Sequence, residues 1–330
     1  MGNNSAFIGI MSGTSKDALD GGLYVFEESK KSFKFHQLQT INFSKQYKNF
    51  QSTELINEEI TNKSIELVKK ILEQVKDTPS GIAFSGQTIK HTDSESIQAG
   101  NPQLIADSTG IKVYSDFRNW DIKNGGKGAP LIPAFHEFLF SEGSETKLII
   151  NIGGIANGTH LSDTGINIAS DIGPGNCLLD YAASKIVNID FDKDGKIASR
   201  GKINKKLFEE LINNFPENIY PRADDLKVYT EYFFKNFESF KKLPLNDLFR
   251  TLTEVTAEMI FKFFVFCERP EKVIFHGGGT SNSFLMERIE KKIEKKLHTT
   301  DDFGVPSKYV ESAGFAYLAY KKRSEIFFPK

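Results

Sequence analysis

The chain has 330 residues, 39% hydrophobic and 26% charged, which is typical of globular proteins and long enough for two domains of roughly 100 to 200 residues each. Its 42 basic and 43 acidic residues leave a formal net charge of -1, so we expect no general attraction to nucleic acid or to an anionic membrane. The sequence begins without an apolar signal segment, and no run approaches the roughly 18 residues of a membrane helix, so we expect a cytoplasmic protein.

Apolar runs in the first half of the chain predict strands at 6–11, 19–26, 34–43, 81–84 and 112–116. Between the third and fourth of these, apolar residues recur at helical spacing from Ile65 to Val75, after the candidate N-caps Thr61 and Asn62. The predicted order is three strands, a helix and two more strands. A glycine-rich stretch at 121–136 follows.

The second half repeats this order in outline. Two apolar runs within 147–161 hinge on Gly153 and Gly154 and predict a hairpin, and a third strand at 166–170 precedes Asp171. Further elements are predicted as helices at 203–214 and 249–266, a strand from 272, and a helix at 282–297 capped by Ser281. We therefore predict two mixed α/β halves, each opening with an antiparallel hairpin.

The tips of both hairpins are rich in small residues. Backbone N–H and hydroxyl groups that no Cβ shields suit phosphate oxygens, so the two tips together favour a polyphosphate site. The first tip also carries Asp17 and Asp20, whose oxygens suit Mg²⁺. For either tip alone, a second interpretation stays open: the glycines only permit a turn, and the carboxylates are solvated or cap a helix.

Three other segments carry candidate chemistry. HGGGTSN at 276–282 follows a predicted strand and could face a nucleotide. Lipase-like hydrolases share the HGGG letters, but the sequence has no GxSxG motif for their nucleophile, so we exclude a hydrolase of this type. Asp171, before a proline-glycine turn, could be a general base or could form an Asx-turn or cap. Asp116, Arg118 and Asp121 could bind sugar hydroxyls or form a salt-bridged loop.

These motifs together resemble those of one family, the anhydro-N-acetylmuramic acid kinases of the sugar kinase, heat-shock 70 and actin superfamily. They come in the family's order and extend over nearly the whole chain. The matching segments are IGIMSGTSKDALD, SGQTIKH, GNPQLIADSTGIKVYSDFRNWDIKNGGKGAPLIPAFH, NIGGIANGTHL, SDIGPGNCLLD, FDKDGKIASRGKIN, HGGGTSNSFLM and YVESAGFAYLAY.

The resemblance implies an α/β fold of two ribonuclease H-like, actin-like ATPase domains, with mixed sheets flanked by helices and a central cleft. The expected domains are 1–135 and 136–330, with the last helix able to pack back on the first domain. The implied activity is ATP-dependent: water opens 1,6-anhydro-N-acetylmuramic acid and O6 is phosphorylated, giving N-acetylmuramic acid 6-phosphate in peptidoglycan recycling. ATP and Mg²⁺ are the implied cofactors and a small-molecule sugar the partner; a homodimer is left open.

The resemblance also assigns residues by their place in the motifs. It puts the base at Asp171, with Glu311 as a supporting carboxylate, and Mg²⁺ nearest Asp17. The nucleotide is expected on Gly13, Thr14, Ser15, Lys16, Asp17, Ala18, Leu19, Asp20, Gly153, Gly154, Asn157, Gly277, Gly278, Gly279 and Asn282. The sugar is expected near Gly100, Asn101, Asp116, Arg118 and Pro130.

The sequence departs from the family pattern at several positions. Ala18 replaces a glycine, which would cost of order 1 kcal/mol if the position needs a positive φ. Asn119 and Trp120 stand where two arginines are common, and 223–225 replaces part of a Lys-Ser-Thr-Gly segment. Three hypotheses follow: an anhydro-N-acetylmuramic acid kinase, a kinase of another sugar that lacks the lactyl carboxylate, and a non-enzymatic nucleotide- or sugar-binding paralogue.

Overall fold

The computed structural model describes residues 5–13, 17–27, 32–44, 46–47, 50, 52–92 and 94–330. The chain divides into two compact units: unit 1 comprises Met1–Phe140 and Lys308–Lys330, and unit 2 comprises Ser141–Ser307. The expected domains, 1–135 and 136–330, differ from these units in two ways. The first segment of unit 1 continues to Phe140, and the last part of the chain belongs to unit 1 rather than unit 2.

Unit 1 is built on a mixed β-sheet. Its strands are β1 (Ser5–Ser12), β2 (Ala18–Glu27), β3 (Ser32–Asn42), β4 (Gly81–Phe84), β7 (Val113–Ser115) and β13 (Glu325–Phe327), while β5 (Gln87–His91) and β6 (Ser96–Ala99) form a separate hairpin. Within the described residues the main sheet has the order β13-β7-β4-β1-β2-β3. The first three strands are antiparallel neighbours, and β4 and β7 run parallel to β1. The predicted meander is present.

The helices of unit 1 are α1 (Thr53–Leu72), α2 (Pro102–Thr109), α3 (Phe117–Lys123), α4 (Pro133–Phe140) and α10 (Val310–Tyr320). The prediction that Thr61 or Asn62 caps the first helix was wrong. Helix α1 begins at Thr53 with Ser52 as its N-cap, because Ile56 and Ile60 extend the buried apolar face by two turns. The Thr61 hydroxyl lies inside the helix and donates to the Asn57 carbonyl at 2.6 Å.

Helix α10 packs directly against β1 in the core of unit 1. A Cβ added at Gly9 of β1 would lie 2.0 Å from the backbone oxygen of Ser312, so this close approach requires glycine. On β2, the Tyr24 hydroxyl lies 2.6 Å from the Ser312 hydroxyl. The last helix of the chain is therefore an integral part of the unit that contains the first strand.

Unit 2 contains a second mixed sheet. Its strands are β8 (Lys147–Ile152), β9 (Ile155–Ser162), β10 (Gly165–Pro174), β11 (Lys272–His276) and β12 (Leu297–Thr299), in the order β10-β9-β8-β11-β12. Strands β8, β9 and β10 are antiparallel, whereas β11 is parallel to β8 and β12. Strand β10 is longer than predicted, so Asp171 lies within it and not after its end.

The helices of unit 2 are α5 (Cys177–Ala182), α6 (Lys205–Asn213), α7 (Lys227–Phe240), α8 (Leu245–Phe266) and α9 (Ser283–Ile293). The N-cap of α9 is Asn282 and not the predicted Ser281: the Asn282 Oδ1 accepts the Leu285 N–H at 3.0 Å. Helix α9 also ends earlier than predicted, at Ile293. Both units are mixed α/β, as predicted. Among the described residues, no helix combines the length and apolarity needed to cross a membrane.

Candidate active site

Polar residues form a row across the sheet of unit 2. Asp171 of β10 pairs with Asn157 of β9, Asn157 pairs with Asn151 of β8, and Asn151 pairs with His276 of β11. Directly opposite residues share a face of the sheet, so these side chains lie side by side. Asp171, Asn151 and His276 are 6%, 3% and 0% exposed. The row lies near the carboxyl ends of the parallel strands β8 and β11, the edge at which α/β sheets usually bind ligands.

The second predicted phosphate loop packs against the turn that leads into α5. The Gly153 carbonyl accepts the Asn176 N–H at 2.8 Å, and the Gly154 carbonyl accepts the Gly175 N–H at 2.9 Å. A Cβ at Gly175 would lie 2.2 Å from the Gly153 oxygen. The tip is therefore fixed in position by backbone contacts, which is the rigid support a phosphate loop needs.

Gly277 and Gly279 pack against the end of β8. Gly277 has a φ of +88°, and a Cβ there would lie 2.2 Å from the Asn151 Oδ1. A Cβ at Gly279 would lie 2.3 Å from the Ile152 Cγ2. The Asn151 Oδ1 is buried and has no hydrogen-bond partner among the residues the structure describes. A buried acceptor of this kind normally has a partner, so a donor on a bound group fits this place.

Arg222 and Asp224, at and beside the segment 223–225, hold Asp171 in place. The Asp171 N–H donates to the Arg222 carbonyl at 2.9 Å, and the Asp171 Oδ2 accepts the Asp224 N–H at 2.8 Å. The Ser170 hydroxyl accepts the Arg222 N–H at 2.9 Å. Sequence analysis missed these partners because they lie some 50 positions further along the chain.

The first predicted nucleotide loop is described only in part, since Thr14, Ser15 and Lys16 lie outside the described residues. Gly13 directly follows β1, and the Asp17 carbonyl accepts the Phe43 N–H at 2.9 Å. The Leu19 side chain is fully buried in the core of unit 1, and its assignment to the nucleotide site stays a prediction. No cluster of three or more His, Cys, Asp or Glu side chains suited to a metal occurs among the described residues.

Two carboxyl groups of unit 1 have raised pKa values. Burial raises the pKa of Asp20, although the Thr40 hydroxyl donates to it at 2.6 Å and the Lys308 Nζ lies 3.1 Å away. Burial also raises the pKa of Glu311, in the first turn of α10, to about 7. The charge of Arg118 opposes that rise and the charge of Asp20 adds to it. The structure thus brings Asp20, Glu311 and Arg118 into one interacting group.

A pocket of about 340 Å³ opens in unit 1 and has a mixed polar and apolar lining that includes Phe84, Ser96, Gly100, Asp116 and Asn119. Of the predicted sugar residues, it brings Gly100 and Asp116 together. Asp116 has a φ of +56°, an uncommon conformation that is enriched at functional sites, and burial raises the pKa of its carboxyl group.

The other predicted sugar residues do not line this pocket. The Asn101 Oδ1 accepts the Leu104 N–H at 2.9 Å and so caps α2. Arg118 donates to the Gly128 carbonyl at 2.7 Å, and Pro130 follows a cis peptide bond. Their role as sugar contacts stays a prediction.

Comparison with known proteins identifies the family. The family model for anhydro-N-acetylmuramic acid kinase matches residues 5–326. The protein of that name from Gamma-proteobacterium EBAC31A08 is 33% identical over 340 residues, covering 96% of this chain and 92% of the relative; that from Idiomarina loihiensis is 34% identical over 337 residues, covering 95% and 91%. The chain belongs to the anhydro-N-acetylmuramic acid kinase family.

A solved structure supports the fold of this anhydro-N-acetylmuramic acid kinase family member. The activator of the 2-hydroxyisocaproyl-CoA dehydratase from Clostridium difficile, with bound ADPNP, superposes with a TM-score of 0.51 at 12% identity, over 96% of this chain and 95% of that one. At this identity the likeness shows the fold alone. The predicted two-domain, actin-like α/β fold is confirmed, and family membership makes the chain a phosphotransferase.

Two departures from the pattern of anhydro-N-acetylmuramic acid kinases have structural explanations. Ala18 lies in β2, pairs with Asn42 and is not among the described residues with a positive φ, so the strain considered for this position is not present. The Asn119 amide donates to the Ser96 carbonyl at 2.8 Å and accepts the Ser96 N–H at 2.9 Å. It also donates to Asp116 at 2.6 Å, so it joins the β5–β6 hairpin to α3.

Proposed function

We propose that this chain is an ATP-dependent kinase that hydrolytically opens 1,6-anhydro-N-acetylmuramic acid and phosphorylates O6. The product is N-acetylmuramic acid 6-phosphate, and the role is in peptidoglycan recycling. The observation that carries the proposal is the position of Asp171 in one polar row with Asn157 and Asn151, beside two glycine loops, in a chain of this family.

Asp171 is the proposed general base. It takes a proton from a water molecule whose oxygen bonds to C1 of the sugar while the bond from C1 to O6 breaks. The released O6 bonds to the γ-phosphorus of ATP, and ADP leaves. The Asp224 N–H, 2.8 Å from the Asp171 Oδ2, stabilises the ionised carboxylate that this role requires.

The proposed nucleotide-binding elements are, in unit 2, the loops at 153–154 and 277–279 and, in unit 1, residues 13–20 as the family resemblance implies. Mg²⁺, when bound, neutralises phosphate charge, and the carboxylate oxygens of Asp17 and Asp20 suit it chemically. The unpartnered Asn151 Oδ1 fits a donor at the same loops, such as a water molecule. Glu311 is the proposed supporting carboxylate, because a pKa of about 7 lets it both bind and release a proton near neutral pH.

One observation favours the second candidate, a kinase for a related anhydrosugar without a lactyl carboxylate. The pocket lined by Gly100 and Asp116 has no lysine or arginine among its described lining residues, and Glu95 adds a second acidic group. Asn119, where the family resemblance leads us to expect an arginine, is bound to Ser96 and Asp116. Such a lining suits hydroxyl groups better than a carboxylate.

The first experiment incubates the purified protein with Mg²⁺-ATP and 1,6-anhydro-N-acetylmuramic acid and examines the sugar by mass spectrometry. We expect a product that has gained one water and one phosphoryl group. Product only from an anhydrosugar lacking the lactyl group would favour the second candidate.

The variant Asp171→Asn should lose turnover and keep ATP binding, because the amide cannot accept the proton. Asp163→Asn is the matched control, since Asp163 is exposed in the turn between β9 and β10 of the same sheet. Unchanged phosphorylation by Asp171→Asn would refute the assignment of the base.

A further inference from the structure

Three side chains beside Asp171 form a polar cluster that the proposed reaction does not yet use: Arg222, Asp224 and Tyr229. The Arg222 Nε lies 2.8 Å from the Asp224 Oδ2, and both side chains are only 11% exposed. The Tyr229 hydroxyl donates to the same carboxylate oxygen and accepts from the Arg222 Nη2 at 3.1 Å. Tyr229 is fully buried, so its hydroxyl joins the Asp224 carboxylate to the Arg222 guanidinium away from solvent.

Two hydrogen bonds connect the backbone of this cluster to Asp171, one at the Asp171 carboxylate and one at the Asp171 N–H. The Asp224 N–H donates to the Asp171 carboxylate, and the Asp171 N–H donates to the Arg222 carbonyl. Arg222 also donates to the carbonyl of Ile172, the next residue along β10. The position of the Asp171 side chain therefore depends on where residues 222–224 are held.

The chemistry of the cluster favours a fixed geometry. Arg222 neutralises the Asp224 carboxylate, so the cluster adds little net negative charge beside Asp171. Burial raises the pKa of Tyr229, and its bond to Asp224 adds to the rise, so the phenol stays protonated and remains a donor. Its ring also packs edge-on against Phe215, with centroids 5.5 Å apart.

We infer that Arg222, Asp224 and Tyr229 are positioning residues that hold the Asp171 carboxylate in its working orientation through the Asp224 N–H. The inference rests on the proposed function, in which Asp171 is the base. The inference gives a role to the segment 223–225, where the sequence departs from the expected pattern. Asp224 in this segment forms the ion pair with Arg222, accepts the Tyr229 hydroxyl and donates its N–H to the base.

The test changes one side chain of the cluster at a time. Tyr229→Phe keeps the buried ring and should lower kcat at least tenfold with KM for ATP and sugar unchanged. The reason is that the base accepts its proton only in the transition state, so its displacement slows the chemical step and leaves substrate binding as it is. Tyr232→Phe, the same chemical change on α7 away from the cluster, should leave kcat as it is. Asp224→Asn, which keeps the backbone N–H and loses the ion pair, is the second variant should Tyr229→Phe fold poorly, and it should lower kcat likewise.

The Asp171→Asn background separates positioning from mere structure. There, Tyr229→Phe should have no further effect on residual turnover, because the group it positions is already gone. An equal further loss in that background, or a full kcat in Tyr229→Phe with only a lower melting temperature, would overturn the inference. Unchanged turnover of Asp171→Asn itself would overturn the assignment of Asp171 as the base, on which the inference rests, so the two failures are distinguishable.

Discussion

The Asn151 Oδ1 occupies the space that a side chain at Gly277 would need, 2.2 Å from the position of a Cβ there. Gly277 also has a φ of +88°, which side chains rarely adopt. The loop at 277–279 and the end of β8 therefore fit together only with glycine at this position.

Gly277→Ala should consequently destabilise the protein by about 1 to 3 kcal/mol and weaken ATP binding. Gly278→Ala is the matched control, because a Cβ at Gly278 would meet nothing within 4 Å, and it should change stability by less than about 0.5 kcal/mol. Urea unfolding and a nucleotide titration measure both effects. Equal stability of the two variants would contradict the described contact.

Glu311 should make stability depend on pH. Burial raises its pKa to about 7 in the folded protein, from about 4.5 in the unfolded chain. Between these values the folded state holds a proton that the unfolded state has lost, so the contribution of Glu311 to stability falls as pH rises through the window. The pKa values of Asp20 and Asp116 are also raised, and they add a change of the same sign.

The comparison of wild type with Glu311→Gln isolates this residue. From pH 5 to pH 7.5 the wild type should lose stability relative to the variant, which cannot ionise at this position. Glu287→Gln, an exposed change on α9, should follow the wild-type curve. Parallel curves for wild type and Glu311→Gln, from melting temperatures across the range, would refute the raised pKa.

Asn119, which lines the pocket in unit 1, should contribute to the stability of the protein. Asn119→Ala removes three hydrogen bonds and leaves the buried N–H and carbonyl of Ser96 without this partner, which we expect to cost about 2 to 3 kcal/mol. Asn124→Ala, which removes one exposed bond to the Trp120 carbonyl at the end of the same helix, should cost under about 1 kcal/mol. Denaturant midpoints of the two variants provide the comparison, and similar midpoints would speak against the bridging role.

Ala18→Gly should lower stability slightly, although the family resemblance leads us to expect glycine at this position. Ala18 lies in β2 with a strand conformation, so glycine relieves no strain and increases the freedom of the unfolded chain, at a cost of about 0.5 to 1 kcal/mol. Thermal unfolding measures the change. A gain in stability would mean that position 18 does need a positive φ.

Much of the fold could be predicted from local patterns, because strands and the long helix α8 bury periodic apolar faces. Helix α10 could not be assigned by periodicity, since it is buried on nearly all sides and has no polar face. The hydrogen bonds that hold the site residues in place could not be predicted from the sequence either. Asn119 binds Ser96 across 23 residues and Asp224 binds Asp171 across 53, and no local pattern encodes such contacts.

The return of the chain to unit 1 affects how the molecule is made. Unit 2 is one continuous segment, so all its residues have been synthesised before Lys308 is added. Unit 1 has to wait: the face of β1 at Gly9 is covered only when Ser312 and the rest of α10 have emerged from the ribosome. A polypeptide that stops at Ser307 would therefore leave the apolar face of β1 at Gly9 uncovered, where it is open to contact with other unfolded chains.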